Sequence, residues 1–291
     1  MRVALRIEVG TSRGMLEGVP NLLRLLGRYK IRGSFLFALG DEDAGRDPLR
    51  AWRRRRIDGV RALAFGTLQS APDLAENARV PIADALKDGH EVGTLGLSVR
   101  AWRHRLAHAD PDWVSEQCTG VWQRASPLLG QPPYVFATPD WQFNSTLLEQ
   151  LTPGRCLFSS MTRGKLPYLG VSQGVRSQVP ELPTTLPTID EMIRSEGVDE
   201  VDVHGYLYAA SQRVLPAGHV FTLHAEREGI DRLALFEKLL VMWRGQEGAV
   251  RALGDTLAEL DRTTLPFHRI GWATPAGGSR PLATQSIEVP A

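Results

Sequence analysis

Cysteine is scarce. Cys118 and Cys156 are two thiols in 291 residues, too few to staple a secreted scaffold and compatible with a reducing compartment. Both read as buried, inert side chains. An excess of one charge is also missing: 34 Lys and Arg against 33 Asp and Glu leave a formal net charge of +1. With no global field of either sign, nucleic acid is excluded as a partner. Nor does any stretch reach the roughly 18 consecutive apolar residues of a membrane-spanning helix. The start, Met1-Arg2-Val3-Ala4-Leu5-Arg6, is basic and β-like and lacks the continuous apolar run of a signal peptide. These absences predict a cytoplasmic protein, at most peripheral on the inner membrane. What is present is 43% hydrophobic residues, sufficient for a large core within one domain.

Strand-like and helix-like runs alternate. Val3 to Val9 has strand character. Pro20 to Tyr29 carries Leu22, Leu23, Leu25 and Leu26 at helical spacing, and Ile31 to Leu39 returns to a strand pattern. The pattern repeats with a helix over Ile82–Lys87, a turn at Asp88-Gly89-His90 and a strand over Glu91–Leu97. A long helix is predicted from Pro111 to Leu129, stopped by Gly130 and Pro132-Pro133. Shorter strands follow at Tyr134–Ala137, Arg155–Ser159 and Val220–Ala225, and helices at Asn144–Leu151, Ile230–Trp243 and Val250–Leu260. Alternation of this kind implies parallel strands wrapped by helices, and the elements fit an α/β fold, a distorted (β/α) barrel, spanning residues 1–272. Pro180, Pro183 and Pro187 make Gln173 to Pro187 an extended surface connection. The Gly- and Pro-rich composition from Ala273 onward predicts a flexible tail over 273–291.

Several separated segments carry a resemblance. They are Leu5-Arg6-Ile7-Glu8-Val9-Gly10-Thr11-Ser12-Arg13-Gly14, Glu17-Gly18-Val19-Pro20, the stretch from Leu182 to Glu191, and Phe221-Thr222-Leu223-His224-Ala225-Glu226. Together they resemble the polysaccharide deacetylase (NodB-homology) family, and within it the branch that deformylates or deacetylates undecaprenyl-phosphate-linked aminosugars during lipid A modification. The resemblance implies a divalent metal such as zinc, which activates a water and polarises the amide carbonyl. It also implies two Asp at the end of the first strand, where this chain has Glu8 and Gly10. A pair of His is implied where Leu95 and Val99 stand. The first-strand Glu8 keeps a charge; Gly10, Leu95 and Val99 offer no lone pair, so the expected cofactor set is none.

Other family positions differ as well. Gln142 replaces an Arg that would orient the carboxylate base, and Met161 replaces an Asp. The implied general acid survives as His224. Glu8 and His224 are therefore expected as catalytic remnants, and Thr11, Arg13, Asp140 and Arg163 as substrate-binding residues, with a structural salt bridge the equal alternative for Arg163. His104 and His108 are four apart, a formal ligand spacing, but neighbouring Arg103 and Arg105 disfavour a cation and point to a surface pair. His90, in the preceding turn, reads as a capping or surface residue. The segment Arg50-Ala51-Trp52-Arg53-Arg54-Arg55-Arg56-Ile57 suits either an anionic membrane surface or a solvated helix face. The sequence thus predicts a catalytically degenerate member of this family. Its expected partners are a lipid-linked aminosugar, an anionic membrane surface, and an active relative or a second copy. The competing expectation is a working hydrolase with a rearranged site of Glu8, Asp140 and His224.

Overall fold

The computed structural model describes residues 1–195, 197–245 and 250–290. The first half runs β1 (Val3–Val9), α1 (Val19–Tyr29), β2 (Ser34–Phe37), α2 (Pro48–Arg54), α3 (Leu74–Lys87) and β3 (Glu91–Thr94). Next come α4 (Val99–Arg105), α5 (Pro111–Leu129), β4 (Val135–Phe136), α6 (Thr146–Gln150) and β5 (Phe158–Ser159). The second half holds β6 (Leu169–Ser172), β7 (Val175–Arg176), α7 (Ile189–Ile193), α8 (Val203–Ser211), β8 (His219–His224) and α9 (Ala225–Glu228). It closes with α10 (Leu233–Trp243), β9 (Val250–Arg251), α11 (Leu253–Ala258), β10 (Phe267–Ala273) and β11 (Leu282–Val289).

The main sheet has the order β5-β4-β3-β2-β1-β8, with β9 paired to the start of β1, and its pairings are parallel. It curls as an open half-barrel wrapped by helices, the α/β class that the alternation predicted. Strands buried on both faces read as continuous apolar runs rather than alternating ones, and β1 is buried over its whole length. The helices obey local rules. In α1, Leu22, Leu23, Leu25 and Leu26 face the core, and Lys30 ends the helix in the left-handed region at φ 55°. In α5, the Asp110 side chain accepts the Trp113 amide, Pro111 opens the first turn and Gly130 closes the last at φ 65°.

A close backbone approach fixes the end of β8. A π-helical turn at Gly14–Gly18 packs on α9 so tightly that a Cβ on Gly18 would lie 2.1 Å from the Ala225 carbonyl oxygen. Only glycine admits that contact.

Four sequence expectations change. Residues 282–289 form β11, antiparallel to β10, where composition predicted a flexible tail; Ala291 lies outside the described residues. The sheet β11-β10-β6-β7 supplies backbone partners that composition cannot reveal. The run from Gln173 to Pro187 is not a surface connection, because Val179, Glu181, Leu182, Thr184 and Leu186 are buried. Glu181 explains why: its carboxylate accepts the Met161 and Thr162 amides at 2.7 and 2.8 Å and the Ser159 and Thr162 hydroxyls, which satisfies a buried charge. Finally, the helices expected at Ile230 and Val250 begin later, at Leu233 and Leu253, the second after the short strand β9.

Candidate functional site

Side chains two apart on a strand share a face, so Arg6, Glu8 and Gly10 form one row at the carboxyl end of β1. In open parallel sheets the carboxyl ends of the strands border the ligand crevice. Arg6 is fully buried and pairs with Glu8. Its guanidinium also donates to the Ser160 carbonyl at 3.0 Å and lies 5.4 Å from the Trp141 ring centre. The loss of the family Arg at Gln142 therefore does not leave Glu8 without a counter-charge. Arg6 provides one from the same strand, a signal present in the i, i+2 spacing that sequence reasoning missed.

The last residue of β8 is His224, and the parallel register sets it beside Glu8. Imidazole Nε2 stands 3.5 Å from Glu8 Oε2, while the His224 amide donates to Glu228 Oε2 at 2.7 Å. Burial lowers the His224 pKa, but Glu8, Glu226, Glu228 and Asp190 around it outweigh burial and leave it raised. The two expected remnants are thus brought together as a carboxylate–imidazole pair.

Around that pair opens a cleft of about 230 Å³ lined by Glu8, Gly10, Thr11, Leu95, Val99, Asp140 and His224, among others. The metal implied by the resemblance finds no fit here. Gly10, Leu95 and Val99 face the cleft without a donor atom, and a Cβ on Gly10 would already lie 3.2 Å from Val99 Cγ2. A divalent cation built on nitrogen and oxygen ligands would meet hydrocarbon on three sides.

The rest of the lining is charged. Glu42 follows β2; its Oε2 accepts the Ser12 amide at 2.8 Å and its Oε1 is buried without a partner. Burial lifts its pKa to about 7. Glu226 is held at 3.3 Å by Arg54, which also grips Asp58 in a fork of 2.7 and 2.8 Å. Its other oxygen is buried and unpartnered, and burial raises its pKa. Across the cleft Asp140 adopts φ 51° and Trp141 φ 49°, an unusual pair of left-handed residues that turns the carboxylate inward. Asp140 is bound by Arg103, with Arg280 at 3.8 Å. Burial opposes its charge, but Arg103, Arg50 and Arg280 prevail and hold its pKa well below the ordinary range.

The expected substrate-binding residues divide. Thr11 and Asp140 line the cleft. Arg13 turns away, donating to the Arg56 and Ile57 carbonyls at 2.7 Å, so its cation serves the segment after α2. Arg163 is absorbed by the fold: it pairs with Glu191 at 3.1 Å, donates to the Leu186 carbonyl and stacks on Trp141. His104 and His108 are exposed, as a surface pair should be. His90 is instead buried, its Nδ1 accepting the Gly33 amide at 3.1 Å. Arg50 and Arg54 of the basic run point into the cleft, a role that run composition alone does not signal. Glu42, Asp58 and Glu226 were also missed, and only Glu226 lay inside a recognised motif.

A parallel half-barrel with a cleft at its strand ends defines the class. The chain is 31% identical over 258 residues to a Shewanella sediminis protein described as a 4-deoxy-4-formamido-L-arabinose-phosphoundecaprenol deformylase, ArnD, covering 82% of this chain and 80% of that one. A protein of the same description from Wigglesworthia glossinidia brevipalpis is 26% identical over 242 residues, covering 78% and 82%. The chain belongs to the polysaccharide deacetylase family, in its ArnD-like branch. No family model matches it. Among solved structures, a polysaccharide deacetylase from Mycobacterium smegmatis superposes with TM-score 0.59 at 18% identity, covering 88% and 89% of the two chains. A CE4 family pseudoenzyme from Bacillus anthracis gives 0.51 at 14%, covering 92% of this chain and 69% of that one. At these identities the two structures show the shared fold alone.

Proposed function

We propose that this protein binds a lipid-linked aminosugar in its cleft without hydrolysing it, as a partner or binding subunit rather than a metal-dependent deformylase. The observation that carries this reading is the convergence of Gly10, Leu95 and Val99 on the cleft wall. Amide hydrolysis near neutral pH needs an activated water, and one acid and one base contribute only about 10²–10⁴-fold each. The Glu8–His224 pair retains proton-transfer chemistry, but among the described residues it faces no metal-ligating set that would activate water. Asp140, the third member of the competing hydrolytic arrangement, is engaged by Arg103 on the opposite wall.

A peripheral seat on an anionic membrane accompanies the proposal. Leu49, Trp52, Val60 and Leu68 are large, exposed apolar side chains, and Arg53 and Arg56 are exposed among them, a composition suited to the headgroup region. Among the described residues no helix is long and apolar enough to cross a membrane.

The experiment is a calorimetric titration of metal-stripped protein with zinc and cobalt, beside the His224→Ala variant and paired with a turnover assay on formylated and acetylated aminosugar. Neither stoichiometric metal binding nor turnover is expected. His224-dependent metal binding accompanied by product release would refute the reading.

A further inference from the structure

One wall of the cleft holds more cations than anions. Arg103, Arg280 and Arg50 all line it around a single carboxylate, Asp140. Arg280 also donates to the Arg103 backbone carbonyl at 3.3 Å, which anchors the Arg280 side chain beside α4. Two neighbouring acids are paired elsewhere, Asp43 with Arg100 at 2.6 Å and Asp58 with Arg54, and Asp47 caps α2 by accepting the Arg50 amide rather than its guanidinium. Among the described residues, the Arg50 guanidinium finds no hydrogen-bond acceptor and no ion-pair partner. Burial and the adjacent charges of Arg103 and Arg54 press its pKa down to about 10, against the weaker opposing pull of Asp140 and Asp58.

A guanidinium is costly to bury unpaired, and its planar fork of donors matches the oxygens of phosphate better than any other side chain does. Three guanidinium groups gathered around the one carboxylate of Asp140 make a cationic wall that an anionic phosphoryl oxygen would complement. We infer that Arg50, Arg103 and Arg280 form an oxyanion site that takes the phosphoryl group of a ligand seated in the cleft. This rests on the reading that the cleft binds ligand, but not on whether it hydrolyses one. Arg50 supplies the open fork, and Arg103 and Arg280 the flanking field, with Asp140 keeping the two oriented. A polyprenyl phosphate headgroup and a free phosphate share this chemistry.

Calorimetry with inorganic phosphate at low ionic strength tests the site on the intact protein. Arg50→Gln is expected to weaken binding by about tenfold or more, whereas Arg79→Gln, an exposed change on α3, leaves it unchanged. Arg280→Gln, at a half-exposed position, gives a second reading should the Arg50 variant fail to fold. Flotation with phosphatidylcholine vesicles, with and without undecaprenyl phosphate, separates the sources: Arg50-dependent capture only by the doped vesicles assigns the lipid headgroup, and phosphate binding without capture assigns a soluble phosphate. If neither probe binds, or both variants bind as wild type does, the site is refuted. Turnover in the preceding experiment would overturn the non-hydrolytic reading while leaving this result standing.

Discussion

Glu8→Gln separates the roles of the buried pair. The change keeps shape and removes one charge, leaving the fully buried Arg6 guanidinium without its anion. Removing one partner of a buried ion pair costs about 3–5 kcal/mol. The low end applies, because the Ser160 and Thr138 carbonyls still accept from Arg6. Unfolding entropy of about 2.1 cal/mol/K per residue gives about 0.6 kcal/mol/K for 291 residues, so a loss of about 3 kcal/mol lowers Tm by about 5 °C.

The pH dependence sharpens the test. A raised His224 pKa contributes stability that is fully present below the unfolded value of about 6.5 and is lost as pH rises through the folded value. Glu8 heads the charges that raise it, so Glu8→Gln removes part of that increment. The Tm deficit is therefore larger at about pH 6 than at about pH 9, and the His224 ring resonances shift to a lower titration midpoint. Circular dichroism melts at both pH values, with NMR titration of the imidazole, measure both effects. A melting point within about 1 °C of wild type, with an unmoved His224 titration, would refute the electrostatic account of this pair.

Three more outcomes are expected. Glu42, with a folded pKa raised to about 7, retains a proton that the unfolded chain releases, so stability falls as pH rises from the unfolded value of about 4.5. Glu42→Gln accordingly matches wild type in acid and exceeds it above neutrality by about 1–3 kcal/mol in chemical denaturation. Gly18→Ala drives a methyl into the Ala225 carbonyl and costs about 3 kcal/mol or more, read as a lowered denaturation midpoint. Gly10→Asp alone crowds Val99 and binds no zinc, whereas Gly10→Asp combined with Leu95→His and Val99→His binds zinc in a calorimeter; binding by the single variant would contradict the geometry.

The sequence made the sheet legible because parallel strands buried on both faces leave short apolar runs, as in Val3–Val9 and His219–His224. It concealed the second sheet, since β11 is amphiphilic, half-exposed and follows a Gly- and Pro-rich stretch, and its partner is set by tertiary contact alone. In the site, Glu8, His224 and the donor-less positions could be read because motifs fix them at strand ends. Glu42, Arg50 and Asp58 could not, because they come from the connection between β2 and α3, where only the short helix α2 is regular and neither period nor motif dictates which side chain turns inward. Arg163 takes the structural salt bridge that was one of its two readings, with Glu191, and Arg13 donates to nearby carbonyls, as an Arg beside a motif is equally able to do.

The charge in the cleft bears on why it stays open. Glu42 and Glu226 each keep a buried oxygen without a partner, and an unsatisfied buried polar atom costs about 1–3 kcal/mol. Apolar replacements there would remove that cost. A relic that had lost both metal and ligand would have no reason to hold carboxylates on one side and an unpaired guanidinium on the other. A ligand bearing a phosphoryl group and polar sugar substituents would complete both sides at once. Binding would then raise the melting temperature in proportion to the logarithm of ligand concentration, and Arg50→Gln would shift that rise to about tenfold higher ligand concentration while leaving the unliganded protein as stable as wild type or more so.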